Sequence, residues 1–284
     1  MNPRLHAVRL GLRRGLIEFR HQMTSTQDVF FTVMTTASFV VVLYLQRDAT
    51  LPGTDLPLAA ATLPGMLGML VPVTSMVGAV GMLSVEREDG TLLRAKAMPQ
   101  GMVGYLVSRV TSLSLSTVVS VIVMIVAGLF LVDGLTGTGA GGWLTVAWLT
   151  LLGLLSSLPL GAIVGSLAAN PQAAAGLSML TVGGLTAVSG IFYPISALAG
   201  WMQGVAQIFP LYWLGLGMRS ALLPDGAAAA EIGGSWRPVE TTLVLVAWAV
   251  VGLLAAPPIL RRMARRESGS AMQTRRDRAM QRIG

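Results

Sequence analysis

Residues 143–167 read WLTVAWLTLLGLLSSLPLGAIVGSL, an unbroken stretch without a charged side chain. A helix that crosses the hydrocarbon core of a bilayer needs roughly 20 consecutive apolar residues, so this stretch is long enough to cross. Outward from it, the neutral run extends from Gly134 to Met218 with no Asp, Glu, Lys or Arg. A soluble domain carries about 25% charged residues because its surface must be wet. This chain of 284 residues carries 12%, against 53% apolar. The solvent for which these segments are built is lipid.

The same length criterion predicts six spans, at about 29–46, 58–85, 102–132, 143–169, 173–193 and 239–259. The fold class expected is therefore all-α: a polytopic membrane protein with six transmembrane helices. Arg109, near one end of the third span, is expected to snorkel to the headgroups. Gly161 and Gly165 form a GxxxG pair that suits local packing or a dimer contact. With the N-terminus inside, 17 of the 20 Lys and Arg fall on the cytoplasmic side and only Arg47, Arg219 and Arg237 outside. That asymmetry predicts a multi-pass protein of the inner (plasma) membrane with both termini cytoplasmic.

The flanking segments extend this plan. In 1–27, Leu5, Val8, Leu12, Leu16 and Phe19 recur at helical spacing among arginines, which predicts an amphipathic helix lying in the interface rather than a cleavable signal. Residues 28–260 form the membrane domain, and 261–284 a basic tail suited to anionic membrane lipids. Residues 194–238 are too apolar for a free loop. Trp201, Pro210 and the aromatics near them predict short outer re-entrant helices, with Asp225–Ser235 as a solvated turn.

Several kinds of chemistry are poorly supported. The chain has no Cys, and its only histidines are His6 and His21, so neither a metal site nor histidine catalysis is expected. Met66, Met69, Met76 and Met82 fall in one span without accompanying Cys or His, and read as packing. The basic residues flank apolar segments, which fits membrane orientation and not nucleic acid. HExxH and GxSxG are absent. The only lysine, Lys96, follows Ala95, so no phosphate loop can form and no catalytic residue is nominated. No span places an ionisable residue near its centre, which disfavours a proton- or ion-coupled carrier.

The polar stretch that stands out is Ser84–Pro99, SVEREDGTLLRAKAMP, between the second and third spans. Its acidic residues come first and Arg94 and Lys96 later, the order that a helix dipole favours. Gly90 permits a bend and Pro99 stops the element. Composition leaves two readings open: a short charged helix that serves as a handle for a soluble partner, or a loop that satisfies charge asymmetry.

Glu86-Arg87-Glu88, then Gly90-Thr91-Leu92, then Pro99 resembles the coupling-helix signature of the ABC-2 type transporter permeases; Leu93, Arg94 and Ala95 depart from the family's usual continuation. A second stretch, Ser189-Gly190-Ile191-Phe192-Tyr193-Pro194 followed by Trp201, Pro210 and Arg219, resembles the family's fifth span and outer re-entrant helices. The resemblance implies a permease that pairs with a second permease chain and carries a separate ATPase subunit on a coupling helix at about 86–99. ATP and magnesium would then be used by that partner and not by this chain. Glu86 and Glu88 would serve polar docking, Gly90, Thr91 and Leu92 would shape the insertion, and Arg219 would tie the outer helices to a carbonyl or to Asp225. The expected cargo is an amphipathic drug, antibiotic or lipid; a lipid-linked glycan is the rival within the family. A stand-alone carrier or a membrane scaffold is the rival outside it. No substrate-binding residue is nominated.

Overall fold

The computed structural model describes residues 2–50, 57–132, 135, 138–168, 170–191 and 195–266. Among them the regular structure is helical. It comprises α1 (Pro3–Thr24), α2 (Thr26–Gln46), α3 (Leu58–Pro72), α4 (Gly78–Glu88), α5 (Thr91–Ala97), α6 (Gly101–Leu131) and α7 (Ala140–Leu167). After these come α8 (Pro171–Val188), α9 (Gly200–Ile208), α10 (Pro210–Leu222) and α11 (Pro238–Arg266).

Local chemistry sets the boundaries. Asn2 caps α1 by accepting from the Arg4 N–H at 3.1 Å. Ser25 ends α1 and starts α2: its N–H bonds to the His21 carbonyl, and its hydroxyl accepts from the Asp28 N–H at 3.3 Å. Asn170 caps α8 in the same way, accepting from Ala173 at 2.8 Å, with Pro171 in the first helical position.

α3 and α4 are one span of 31 residues, interrupted by a π-helical turn at Val73–Val77. The turn follows Pro72, which has no N–H to give to the preceding turn. The Ser75 hydroxyl bonds back to the Val71 carbonyl at 2.6 Å. The Thr74 hydroxyl lies 3.0 Å from that of Thr117 on α6, which ties the irregular turn across to its neighbour.

Among the described residues five helices are long and apolar enough to cross a bilayer: α2, α3–α4, α6, α7 and α11. The segment expected as a fifth crossing, 173–193, is not among them. Its residues up to Val188 belong to α8, whose 18 residues are diluted by Gly, Ser and Thr, and 192–193 lie outside the described residues. At about 1.5 Å per residue α8 reaches roughly 27 Å, short of the ~30 Å hydrocarbon core. The chain then turns at Gly190, which takes a φ of 66°.

The core lies where α10 packs on α3 and α7, and α7 on α4 and α11. Every residue of α10 from Pro210 to Arg219 is buried. Gly161 and Gly165 serve this core: Cβ atoms there would lie 2.6 Å from the Met76 carbonyl and 3.0 Å from the Val80 Cα. That pair is spent on packing within the chain. α2 is the least buried of these helices: Leu43 enters the core and Phe39 and Val42 pack against it, while most of its other side chains are exposed or half-buried. α11 runs into the expected tail as far as Arg266, and the rest of that segment lies outside the described residues.

Candidate coupling site

The turn between the second and third spans is built differently from a single charged helix. Glu86 and Glu88 end α4 instead of opening the next element. Gly90 then takes a left-handed conformation, φ 79°, while the Asp89 carboxylate accepts from the Thr91 N–H at 2.7 Å. α5 therefore contains only Thr91–Ala97. On its inner edge Leu92 and Ala95 are buried in a cluster with Tyr105 of α6 and with Leu260 and Met263 of α11. Its outer edge and the following turn expose Arg94, Lys96, Ala97, Met98 and Pro99. The return into α6 is tight: Gln100 takes a φ of 55°, and a side chain at Gly101 would collide with the Ala95 carbonyl.

Glu86 and Glu88 stand at the C-terminal end of α4, where a helix dipole disfavours anions. Glu86 is compensated from α6. It is 6% exposed, pairs with Arg109 and accepts a 2.6 Å hydrogen bond from the Tyr105 hydroxyl. Its side chain therefore points into the protein, away from the surface that a docking residue would use. Arg109 does not snorkel either. Its other terminal nitrogen donates to Glu18 of α1 at 2.8 Å, and Glu18 also accepts from Ser108 at 2.8 Å and pairs with Arg14 at 2.8 Å. Two carboxylates and two guanidiniums thus balance across α1, α4 and α6. A buried ion pair of this kind survives only when its members satisfy one another.

Arg87 and Glu88, the other charged residues of the motif, also face inward. Arg87 donates to the Ala168 carbonyl at 2.7 Å, capping the C-terminal end of α7 with a cation. Glu88 is partly buried, and its Oε1 has no hydrogen-bond partner.

α1 reaches the cluster through its small residues. Gly11 and Gly15 are its only buried positions: a Cβ on either would lie 2.6 Å from the Gly104 carbonyl or 2.7 Å from that of Ser108. Leu5, Leu12 and Leu16, expected to enter the interface, do lie on the exposed side. The Gln22 side chain extends the seam, accepting from Ser116 at 2.8 Å. The sequence held this signal in Gly11-xxx-Gly15 followed by Glu18 and Gln22, a small-to-polar stripe about 100° round the helix from the leucines.

The opposite end of the bundle carries a second ionic group. Arg219 on α10 is 7% exposed and donates to Glu231 at 2.6 Å, so its partner is Glu231 and not Asp225. The expected solvated turn accordingly folds back, with the Glu231 side chain 8% exposed. Arg237 donates to Gln207 at 2.9 Å and to the Tyr212 hydroxyl, and its guanidinium stands 4.8 Å from the centre of the Trp213 ring. Pro210 opens α10, Trp201 on α9 is exposed, and Pro194 lies outside the described residues.

Between α4, α6, α7 and α11, beside the Glu86 cluster, lies an apolar cavity of about 280 Å³. A family model described as ABC-2 type transporter matches residues 6–223, from α1 through the whole coupling turn to the end of α10. The chain belongs to the ABC-2 type transporter family. It is a multi-pass membrane protein and a transport subunit, of a family whose members generally work with an ABC ATPase. A search of curated proteins gives no match. Within this ABC-2 permease the residues that sequence reading missed are Glu18, Tyr105, Gly11 and Gly15. They are the ones that tie the family's motif region to the rest of the fold.

Proposed function

We propose that this chain is the membrane subunit of an ATP-driven exporter, and that a separate ATPase, which uses ATP and magnesium, docks on the outer edge of α5. The observation that carries the reading is the two-sidedness of α5. Arg94, Lys96, Met98 and Pro99 are exposed on one side, while Leu92 and Ala95 are clamped to α6 and α11 on the other. A push on the outer edge therefore reaches the inner ends of the spans. Through Glu86, Arg109 and Glu18 it also reaches α1. Transmission requires contacts that differ between two states, and an ion-pair group that joins three helices has partners to exchange.

In this reading α8 completes a set of six spans with the help of its neighbours, α9 and α10 dip into the outer leaflet, and both termini are cytoplasmic. Non-crossing helices at membrane depth need protein around them, and α10 has it on every side. α2, whose side away from Leu43 exposes Phe30, Val33, Val41 and Leu45, offers a face for a second permease chain. The cargo is an amphipathic small molecule. The apolar lining of the cavity supports that class over a glycan, which would need hydrogen-bonding partners.

Co-purification tests the reading. The wild-type permease is expected to bring down an ATPase subunit, and the double reversal R94E/K96E to release it while the permease stays monodisperse. E86Q, altered inside the protein, is expected to retain the ATPase. An ATPase retained by R94E/K96E and lost by E86Q would overturn the assignment of the docking edge.

A further inference from the structure

The cavity beside the coupling turn offers almost nothing to a polar ligand. Its polar wall residues are Tyr105 and Arg109, and all of their donor atoms but one are engaged: the tyrosine hydroxyl by Glu86, the arginine terminal nitrogens by Glu86 and Glu18. The Arg109 Nε is buried and has no hydrogen-bond partner. Water inside would find too few partners, since a buried water needs two to four.

Access comes from the side. α6 and α11 both line the cavity yet hardly pack on one another. Its lips, Val110 on α6 and Leu253 on α11, are each 51% exposed and lie on spanning helices, where the surroundings are lipid chains. Just over two turns beyond Leu253, and about 80° round the axis of α11 by helical spacing, Arg261 is exposed beside the lip. At about 1.5 Å per residue the two stand roughly 12 Å apart along the axis, the arrangement of an apolar mouth with a cation at its headgroup side. Leu92 of α5 forms part of the wall.

We propose that this cavity binds one acyl chain of a glycerophospholipid that enters between α6 and α11, with its phosphate on Arg261. The chain replaces the contacts that an empty apolar cavity forfeits, and it rests against the coupling helix, so lipid occupancy bears on the position of α5. By the orientation given under Proposed function this lipid belongs to the inner leaflet; the binding itself does not rest on that orientation.

The test uses the full-length permease in nanodiscs doped with a phosphatidylglycerol that carries a diazirine in mid-chain, and in parallel with a diacylglycerol carrying the same group. After irradiation, adducts from the phospholipid are expected to concentrate on the cavity residues Leu106, Ala162 and Leu260 over the lipid-facing Leu243 and Val250. A162F is expected to lower that yield about tenfold. R261E is expected to lower the phospholipid yield and leave the diacylglycerol yield unchanged. Adducts spread evenly over the lipid-facing helices of the wild-type chain would overturn the proposal. So would an unchanged yield in monodisperse A162F, or disulfide formation between two chains carrying V110C and L253C, which would show the opening to be a seam between copies. The readout uses no ATPase, so its failure is separable from a failure of α5 docking.

Discussion

Glu18 of α1 and Arg109 of α6 are 91 positions apart in the chain and 2.8 Å apart in space. Their contact joins the N-terminal helix to the span that follows the coupling turn, and Glu86 brings α4 to the same guanidinium. One cation therefore holds two anions from two other helices. Arg109→Met removes it, leaving Glu86 without a cation and with only the Tyr105 hydroxyl, while Glu18 keeps Arg14 and Ser108. Breaking a buried pair in this way costs about 3–5 kcal/mol; with Arg109 16% exposed, the lower end is expected. Thermal unfolding in detergent checks this. The triple variant R109M/E86M/E18M, which removes all three charges, is expected to recover most of the loss.

The seam of α1 gives an independent expectation. A leucine at Gly15 would force its Cβ to within 2.7 Å of the Ser108 carbonyl, so α1 must move off α6. Overpacking costs about 1–3 kcal/mol, concentrated at this one contact. Limited proteolysis is expected to cut α1 of Gly15→Leu much faster than the wild type while sparing α7 and α11. The control Leu16→Ala, on the exposed side of α1, is expected to change nothing.

Much of this architecture is legible in the sequence, because lipid imposes a length and a polarity that each span must meet. The bend at Gly90 and the break before Pro210 follow from residue type alone, and both are present. The ion-pair groups are not legible in the same way. Nothing in the spacing of Glu18, Glu86 and Arg109 shows that they meet, because the meeting depends on how α1 crosses α6. Arg109 near a span end reads equally well as snorkelling. Glu231 sits in a stretch rich in Gly and Ala that looks solvated until its carboxylate is seen under Arg219. The extent of α8 is lost for another reason: Gly, Ser and Thr bring it close to the threshold of apolarity, where pattern reading cannot decide.

The outer ionic group is expected to act as a clamp on α10. Glu231→Gln leaves the Arg219 guanidinium buried without a carboxylate, at an expected cost of about 3 kcal/mol. Glu231→Asp keeps the charge and is expected to lose less. Unfolding temperatures of the two variants, compared in one detergent, provide the measurement.

Gly90 holds the left-handed residue on which the direction of α5 depends. Gly90→Ala is expected to cost about 1–2 kcal/mol and to weaken ATPase co-purification, because relaxing the strain swings α5 away. Gly81, whose Cβ would meet nothing, is the matched control: Gly81→Ala is expected to leave co-purification intact.

The most direct measurement places a photoreactive amino acid at Met98, at the exposed tip of the turn after α5, in membranes of cells that express the permease at its natural level. Irradiation is expected to join it to a protein that carries a nucleotide-binding phosphate loop, with no such product from the same probe at Trp201 on α9. A probe at Met98 that captures no ATPase, beside one at Trp201 that does, would contradict the account.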